Sequence, residues 1–267
     1  MQTWTLGHGT PEVAVVGAIH GDEPCGAQAI KRFLAEDHDI RRPVKLVIAN
    51  EEALAASTRY IDTDLNRVIP GDPTSDKLEE RLAHRLVSEV ADCATLGVHS
   101  TVSYDKVTGL VNDIEDLSES VLAEMSLQTI IATPNLSDGR CTSLPGFVDI
   151  EAGIQGSQEA ADNAYRSLLE FLALNGVIEH EFEPTPSSIY ELYEVVEKKP
   201  GSAYQFVGEN FCQVAAGETF GYSDEAPIVA DEAFWPVLMS ENGHDEIFGY
   251  KARKLDHLGA NESLSVT

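Results

Sequence analysis

The sequence predicts an α/β fold, a mainly parallel or mixed sheet flanked by helices, with a smaller β-rich domain after it. Three observations predict it. Short valine- and isoleucine-rich runs alternate with stretches whose apolar residues recur at helical spacing, the pattern of strands joined through crossover helices. After Phe182 the pattern changes: Glu183-Pro184-Thr185-Pro186-Ser187-Ser188 reads as a linker, and short alternating segments separated by turn residues follow. A length of 267 residues suits one large unit carrying a small one. The division expected is 1–183 for a large α/β domain and 184–267 for the small one.

The elements follow in order. Residues 12–19, EVAVVGAI, form a buried strand that ends in His20-Gly21-Asp22-Glu23-Pro24. From Pro24, which is tolerated in a first helical turn, Ala27, Ile30, Phe33 and Leu34 recur at helical spacing. Residues 45–49 form a second buried strand. Residues 75–91 place Leu78, Leu82, Leu86, Val87 and Val90 on one helical face, with Ser75 available as a cap. Residues 95–98 and 129–132 are further strands, and a strand at 147–150 delivers Glu151 to its carboxyl end. Residues 157–175 form a helix with Ala161, Ala164, Leu168 and Leu172 inward, closed by Gly176. Within the C-terminal part, residues 189–196 and 228–229 read as strands, and the tail after Leu258 as mobile.

Composition narrows the function. Forty-five acidic against 18 basic residues give a net charge of −27. Nucleic acid is excluded as a partner, because binding a phosphate backbone needs a basic face, and anionic membrane surfaces are excluded likewise. Only eight of the basic residues are lysines. An acidic, lysine-poor surface suits a cytoplasm at very high salt, as in halophilic archaea, where a Debye length of about 3 Å at molar salt screens self-repulsion. An ordinary acidic enzyme is the alternative. The N-terminus has no signal-peptide pattern and no window spans a membrane. Cys25, Cys93, Cys141 and Cys212 lie far apart, which argues against a disulfide framework and points to a reduced cytoplasm.

Three groups of residues carry chemistry. His20-x-x-Glu23 sits where a strand gives way to a helix, so both side chains can emerge together, and His with Glu and a distant His is a ligand set of zinc hydrolases. Alone, the pair is better read as a surface histidine beside an acid. His99 stands at the carboxyl end of its own expected strand, the edge where open α/β sheets bind ligands; alone, it suits a core or cap histidine. Arg59-Tyr60-Ile61-Asp62-Thr63-Asp64-Leu65-Asn66-Arg67 gathers two of the chain's ten arginines. Arginine forks hold carboxylates bidentately and polarise carbonyls, whereas a solvated loop with internal ion pairs would need neither.

The order His-Gly-Asp-Glu, then Arg-Tyr-Ile-Asp-x-Asp-Leu-Asn-Arg, then a strand-end His, then Ile-Glu-Ala-Gly resembles the aspartoacylase and succinylglutamate desuccinylase family, relatives of zinc carboxypeptidases. The likeness spans residues 13–156, with a fainter continuation from Phe234-Trp235-Pro236-Val237 to Tyr250. It implies a zinc-carboxypeptidase-like fold, one Zn2+ per chain held by His20, Glu23 and His99, and a small-molecule N-acyl amino acid as substrate. By the same resemblance Glu151 promotes attack of zinc-bound water and then protonates the leaving amine. Arg59 polarises the scissile carbonyl. Asn66, Arg67 and, more loosely in its spacing, Arg140 hold the carboxylate of an acetylaspartate- or succinylglutamate-like substrate. A homo-oligomer is the family habit.

Three positions depart from or test that pattern. Gly97 stands where the family commonly has an aspartate behind the third ligand, so Asp64 or Asp22 is expected to substitute or metal affinity to be lower. A tyrosine expected after Trp235-Pro236-Val237 is absent, with His244 near its place. Asp149 and Glu151 are expected to face opposite sides of their strand, with Glu151 on the side of the site. Two other readings stand beside the amidohydrolase: a carboxypeptidase-like metallopeptidase and a non-catalytic zinc or small-molecule binding protein. An intact Glu151 argues against the latter, since binding needs no proton shuttle.

Overall fold

The computed structural model describes residues 1–114, 121–134, 136, 138–242 and 246–258. In chain order these hold β1 (Gln2–Leu6), β2 (Val13–Gly17), α1 (Cys25–Ala35), β3 (Val44–Ile48), α2 (Glu51–Ala56), α3 (Leu78–Val90), β4 (Ala94–Thr101), β5 (Thr108–Val111), β6 (Thr129–Ala132), β7 (Phe147–Ile154) and α4 (Gln158–Leu174). The C-terminal part adds β8 (Ser187–Glu197), β9 (Tyr204–Phe206), β10 (Thr219–Ser223), β11 (Ala226–Val229), β12 (Trp235–Val237) and β13 (Ile247–Leu258). The expected tail after Leu258 and His244 lie outside the described residues.

One ten-stranded mixed sheet runs β1-β3-β2-β4-β7-β5-β6-β8-β13-β12, and β11-β10-β9 form a second, three-stranded sheet. β3, β2, β4 and β7 pair in parallel, as buried valine-rich strands with helical crossovers should. Strands of the segment after Pro184 join the same sheet through the parallel pairing of β6 with β8. The run Val13–Val16 is buried at every residue because the sheet is covered on both sides. Val13 and Val15 pack with Ile30 and Phe33 of α1 and Leu168 and Phe171 of α4, while Ala14 and Val16 pack with Ala83, Leu86 and Val90 of α3.

The helices begin and end largely for local reasons. Ser157 accepts the Ala160 N–H at 3.0 Å to cap α4, and Gly176 closes it in the left-handed conformation at φ 69°. The expected cap of α3 is different. Ser75 turns its hydroxyl to the Lys77 N–H, and the first helical N–H, that of Leu78, goes to Asp62 at 2.8 Å. The cap is therefore borrowed from the arginine-bearing loop, which ties that loop to the helix. α2 and β5 were not expected from periodicity; α2 is only six residues long and starts on Asn50, which caps the Ala53 N–H at 3.2 Å. A Cβ added at Gly17 would stand 2.5 Å from the Gly26 carbonyl carbon, so β2 and α1 meet backbone to backbone. That close approach presses the intervening His20–Glu23 turn against β4.

Loop 59–67 is held by a residue the motif reading passed over. Glu79 of α3 is buried, and its two oxygens accept the backbone N–H groups of Ile61 at 2.7 Å, Asp62 at 3.0 Å and Thr63 at 3.2 Å, plus Asn50 Nδ2 at 2.9 Å. These donors outweigh burial and keep its carboxyl below the usual range. Glu79→Ala should lower unfolding free energy by on the order of 2–3 kcal/mol, since the stranded donors lose a charged acceptor. Glu79→Gln should cost less. Denaturant unfolding of both variants checks this, and equal stability of Glu79→Ala and parent would contradict the role.

Candidate metal centre and substrate pocket

β2 and β4 are neighbours in the sheet, so His20, just past β2, and His99, within β4, come together with their ring centroids 5.0 Å apart. β4 runs two residues beyond His99, which places the ring inside the strand rather than after it. Glu23, at the entry to α1, stands between them. Its Oε1 lies 2.8 Å from His20 Nδ1 and its Oε2 lies 2.8 Å from His99 Nδ1. All three side chains are buried, and one ligand atom from each lies within 4.8 Å of the others.

Each ring has a second carboxylate behind it. His20 Nε2 lies 3.0 Å from Asp64 Oδ1, and His99 Nε2 lies 3.4 Å from Asp149 Oδ1. Asp22 faces neither ring; its Oδ1 is buried without a hydrogen-bond partner. Burial alone would raise the Glu23 carboxyl, but the two imidazoles overturn it and hold it below the usual carboxylate range. Burial disfavours a charged His99, yet the Asp149 and Glu23 carboxylates push its pKa well above the ordinary imidazole value. The donor set fits zinc: two imidazole nitrogens and a carboxylate, buried, with carboxylates behind the rings. A cation there would replace the ring protons, because histidine ligates in its neutral form.

Glu151 sits on β7 directly opposite His99. Burial, then the nearby Glu23 charge, raises its pKa to about 8. Its Oε2 is buried with no hydrogen-bond partner. The expectation that Asp149 and Glu151 face opposite sides is overturned. Side chains alternate with period two, so residues two apart share a face, and both carboxylates line the same cavity.

The arginines divide into two kinds. Arg59 is tied back into the acidic cluster, 2.9 Å from Asp64 and 3.3 Å from Glu23, and despite burial these charges strengthen its hold on its proton. Arg67 donates to the Asn66 carbonyl at 2.7 Å, and Arg140 reaches the Tyr250 hydroxyl at 3.5 Å; neither has an ion pair among the described residues. Burial, then the facing charge of Arg140, lowers the Arg67 pKa. Two partly buried cations that repel each other invite an anion. Asn66 Oδ1 accepts the Cys141 N–H at 2.7 Å, which leaves its amide N–H groups to offer a ligand.

Tyr250 corrects the expected absence of a tyrosine. It comes from β13, and its register opposite Val237 of β12 brings it to the pocket. Looking only just after Trp235-Pro236-Val237 misses it, because the strand partner, not the sequence neighbour, supplies the ring. Leu110, Ile131, Leu192, Leu238 and Ile247 form an apolar wall of the same cavity, whose volume is about 280 Å³.

Fold and site together define an α/β protein with a metal-competent His-Glu-His centre at the carboxyl edge of a mixed sheet. Residues 9–105 match the succinylglutamate desuccinylase/aspartoacylase catalytic domain. It is 30% identical over 127 residues to an N-acyl-aromatic-L-amino acid amidohydrolase (carboxylate-forming) of Rattus norvegicus, covering 43% of this chain and 37% of that one. It is 29% identical over 120 residues to an aspartoacylase of Xenopus tropicalis, covering 39% and 38%. The matches thus span well under half the length of these relatives. In fold, it superposes on a succinylglutamate desuccinylase/aspartoacylase crystal structure from Rhodobacter sphaeroides with a TM-score of 0.76 at 18% identity, over 95% of this chain and 89% of that one. Among the described residues, no helix is long and apolar enough to cross a membrane.

The raised Glu151 pKa has a measurable sign in metal-free protein. The folded chain keeps this proton up to about pH 8, whereas the unfolded chain loses it near 4.3. Between those values the folded state binds the extra proton, so stability falls as pH rises across the window. Glu151→Gln removes that loss. Its stability relative to parent should increase between pH 5 and pH 8.5 by at least about 1.4 kcal/mol, the equivalent of one pKa unit. A pH-independent difference in denaturant unfolding would show that the carboxyl is not raised.

Proposed function

We propose that the chain is a zinc-dependent amidohydrolase that removes the acyl group from an N-acyl amino acid, an acetylaspartate- or succinylglutamate-like substrate. One observation carries it. The His20-Glu23-His99 centre, a buried Glu151, and Arg67 and Arg140, which have no ion pair among the described residues, line a single cavity. Zinc held by the three ligands would supply Lewis-acid chemistry, acidifying water and drawing charge from an acyl carbonyl.

The chain's own residues do the rest. Glu151 takes the proton of the attacking water at its unpartnered Oε2 and returns it to the leaving amine, as a general base that becomes an acid. Arg59, anchored by Asp64, offers its remaining N–H groups to the oxygen on which charge develops. Arg67, Arg140 and the Asn66 amide receive a substrate carboxylate. The apolar wall packs the acyl chain or side-chain methylenes, and a cavity of about 280 Å³ favours a small molecule over a peptide.

The test is a zinc count on protein purified in molar KCl, with amine release followed on acetyl and succinyl derivatives of acidic and aromatic amino acids. One zinc per chain is expected, with hydrolysis of at least one such amide. Glu151→Gln should keep its zinc and lose turnover by about 10²- to 10⁴-fold. Arg67→Ala should reduce kcat/KM far more on carboxylate substrates than on matched carboxamides. Unchanged turnover in Glu151→Gln with zinc retained would sink the proposed proton path. Equal losses on both substrate types would sink the carboxylate clamp.

A cytoplasm at high salt is the proposed setting, supported by the charge of −27 carried with eight lysines. The melting temperature should climb steeply between roughly 0.1 M and 2 M KCl as repulsion is screened. A flat profile would refute the setting and leave the site chemistry untouched.

A further inference from the structure

We propose that Asp149 is the positioning carboxylate of His99, occupying space that Gly97 on the neighbouring strand leaves open. The inference rests on the metal-centre reading above and adds a residue pair to it.

The two histidines show what is required. Each turns Nδ1 to Glu23 and Nε2 to a carboxylate of its own, Asp64 for His20 and Asp149 for His99. A carboxylate at Nε2 holds the proton on that nitrogen, leaves Nδ1 free to ligate and fixes the ring plane. Asp149 is outside the ligand set itself, since the atoms that converge belong to His20, Glu23 and His99. At 3.4 Å the Asp149–His99 contact is longer than a good hydrogen bond. Yet neither of the two atoms has any other partner among the described residues, and both are buried. A buried carboxylate oxygen without a donor is costly, and the His99 Nε2–H is the donor at hand.

The space for this carboxylate is set by the rung of the sheet. Gly97 pairs with Asp149, and His99 pairs with Glu151, in the parallel β4–β7 ladder. With period two, all four positions face one side and form a two-by-two patch. A Cβ built on Gly97 would lie 1.9 Å from Asp149 Oδ1 and 3.2 Å from its Cγ. A side chain at 97 therefore excludes the Asp149 carboxylate from the position it holds behind His99, and it also crowds the Phe147 ring, whose Cε1 would lie 2.8 Å away. Two solutions exist for a carboxylate behind His99: one reaching along β4 from position 97, or one reaching across the rung from position 149. This chain uses the second, so Gly97 is a vacancy required by Asp149 rather than a missing partner.

Exchange of the two residues tests the pair, read as the zinc dissociation constant by chelator competition together with the melting temperature of the metal-free protein. Asp149→Ala should weaken zinc about 10- to 100-fold, the usual effect of losing a ligand's hydrogen-bonding partner. The isosteric Asp149→Asn should weaken it less, because an amide oxygen still accepts from Nε2–H without the charge. Gly97→Asp alone should weaken zinc or destabilise the fold through the clash. Gly97→Asp combined with Asp149→Gly should restore affinity well above that of Asp149→Gly alone, a rescue that a purely structural role for Asp149 would not give. If zinc binding is unchanged in Asp149→Ala, or in Asp149→Asn should the Ala variant not fold, the inference falls. It falls equally if the exchanged pair binds no better than Asp149→Gly. Failure of the metal-centre reading looks different: the parent protein would hold no stoichiometric zinc at all.

Discussion

The Glu23 carboxylate, buried with an imidazole nitrogen 2.8 Å from each of its oxygens, is the contact around which the site is arranged. A lone carboxylate in that position would be driven to take up a proton. It stays ionised because His20 arrives from the end of β2 and His99 from within β4, two adjacent parallel strands. α1 leaves β2 at a glycine-to-glycine contact, which lets the helix pack close over the sheet next to the site. The need for positive charge beside Glu23 then recruits the outer carboxylates, Asp64 and Asp149, and Arg59 ties Asp64 and Glu23 together from the solvent side.

The sheet's central strands were legible because the pattern that marks them is the physical consequence of their burial. Val13–Val16 must be apolar at every position when helices cover both faces. Residues 129–132 are likewise buried at every position, with Ile130 and Ala132 in the helix-covered core and Ile131 against β8 and β13. β5 was not legible: four residues, Thr108–Val111, include a glycine and a threonine and carry no alternation. The continuation of the main sheet into β8, β13 and β12 was not legible either. Pairing of β6 with β8 joins residues about sixty positions apart, and no local periodicity encodes which strand edge a later strand will join.

For the site, residue types and order were informative, and the contacts between strands were not. His20 and Glu23 announce themselves by placement just past a strand, His99 by standing near the end of one, and the arginine loop by its composition. Glu79, which folds that loop by accepting three of its N–H groups, looks in the sequence like one more helix-surface acid. Tyr250 reaches the pocket through its rung with Val237, a relation thirteen residues long in sequence and one strand wide in space. Asp149 is the instructive case. Reading it as facing away from Glu151 misapplied the period of two, and the corrected face places it behind His99.

The distribution of charge links the fold to its proposed chemistry. On a chain with a net charge of −27, the pocket gathers Arg59, Arg67 and Arg140 within one wall-to-wall cavity beside four or more acidic groups. Arg59 is neutralised by Glu23 and Asp64, so the positive field left over belongs to Arg67 and Arg140, which have no ion pair among the described residues. A negative group entering the cavity is therefore drawn to the arginine end, away from Glu23, whose charge repels it. In the proposed reaction that polarity would orient a substrate carrying a carboxylate at one end and an amide a few bonds away, with the amide toward Glu151 and the metal-competent centre. Burial beside Glu23 makes Glu151 hold a proton in the metal-free chain; a cation at the neighbouring centre would offset the Glu23 charge and free the carboxylate to act first as base and then as acid.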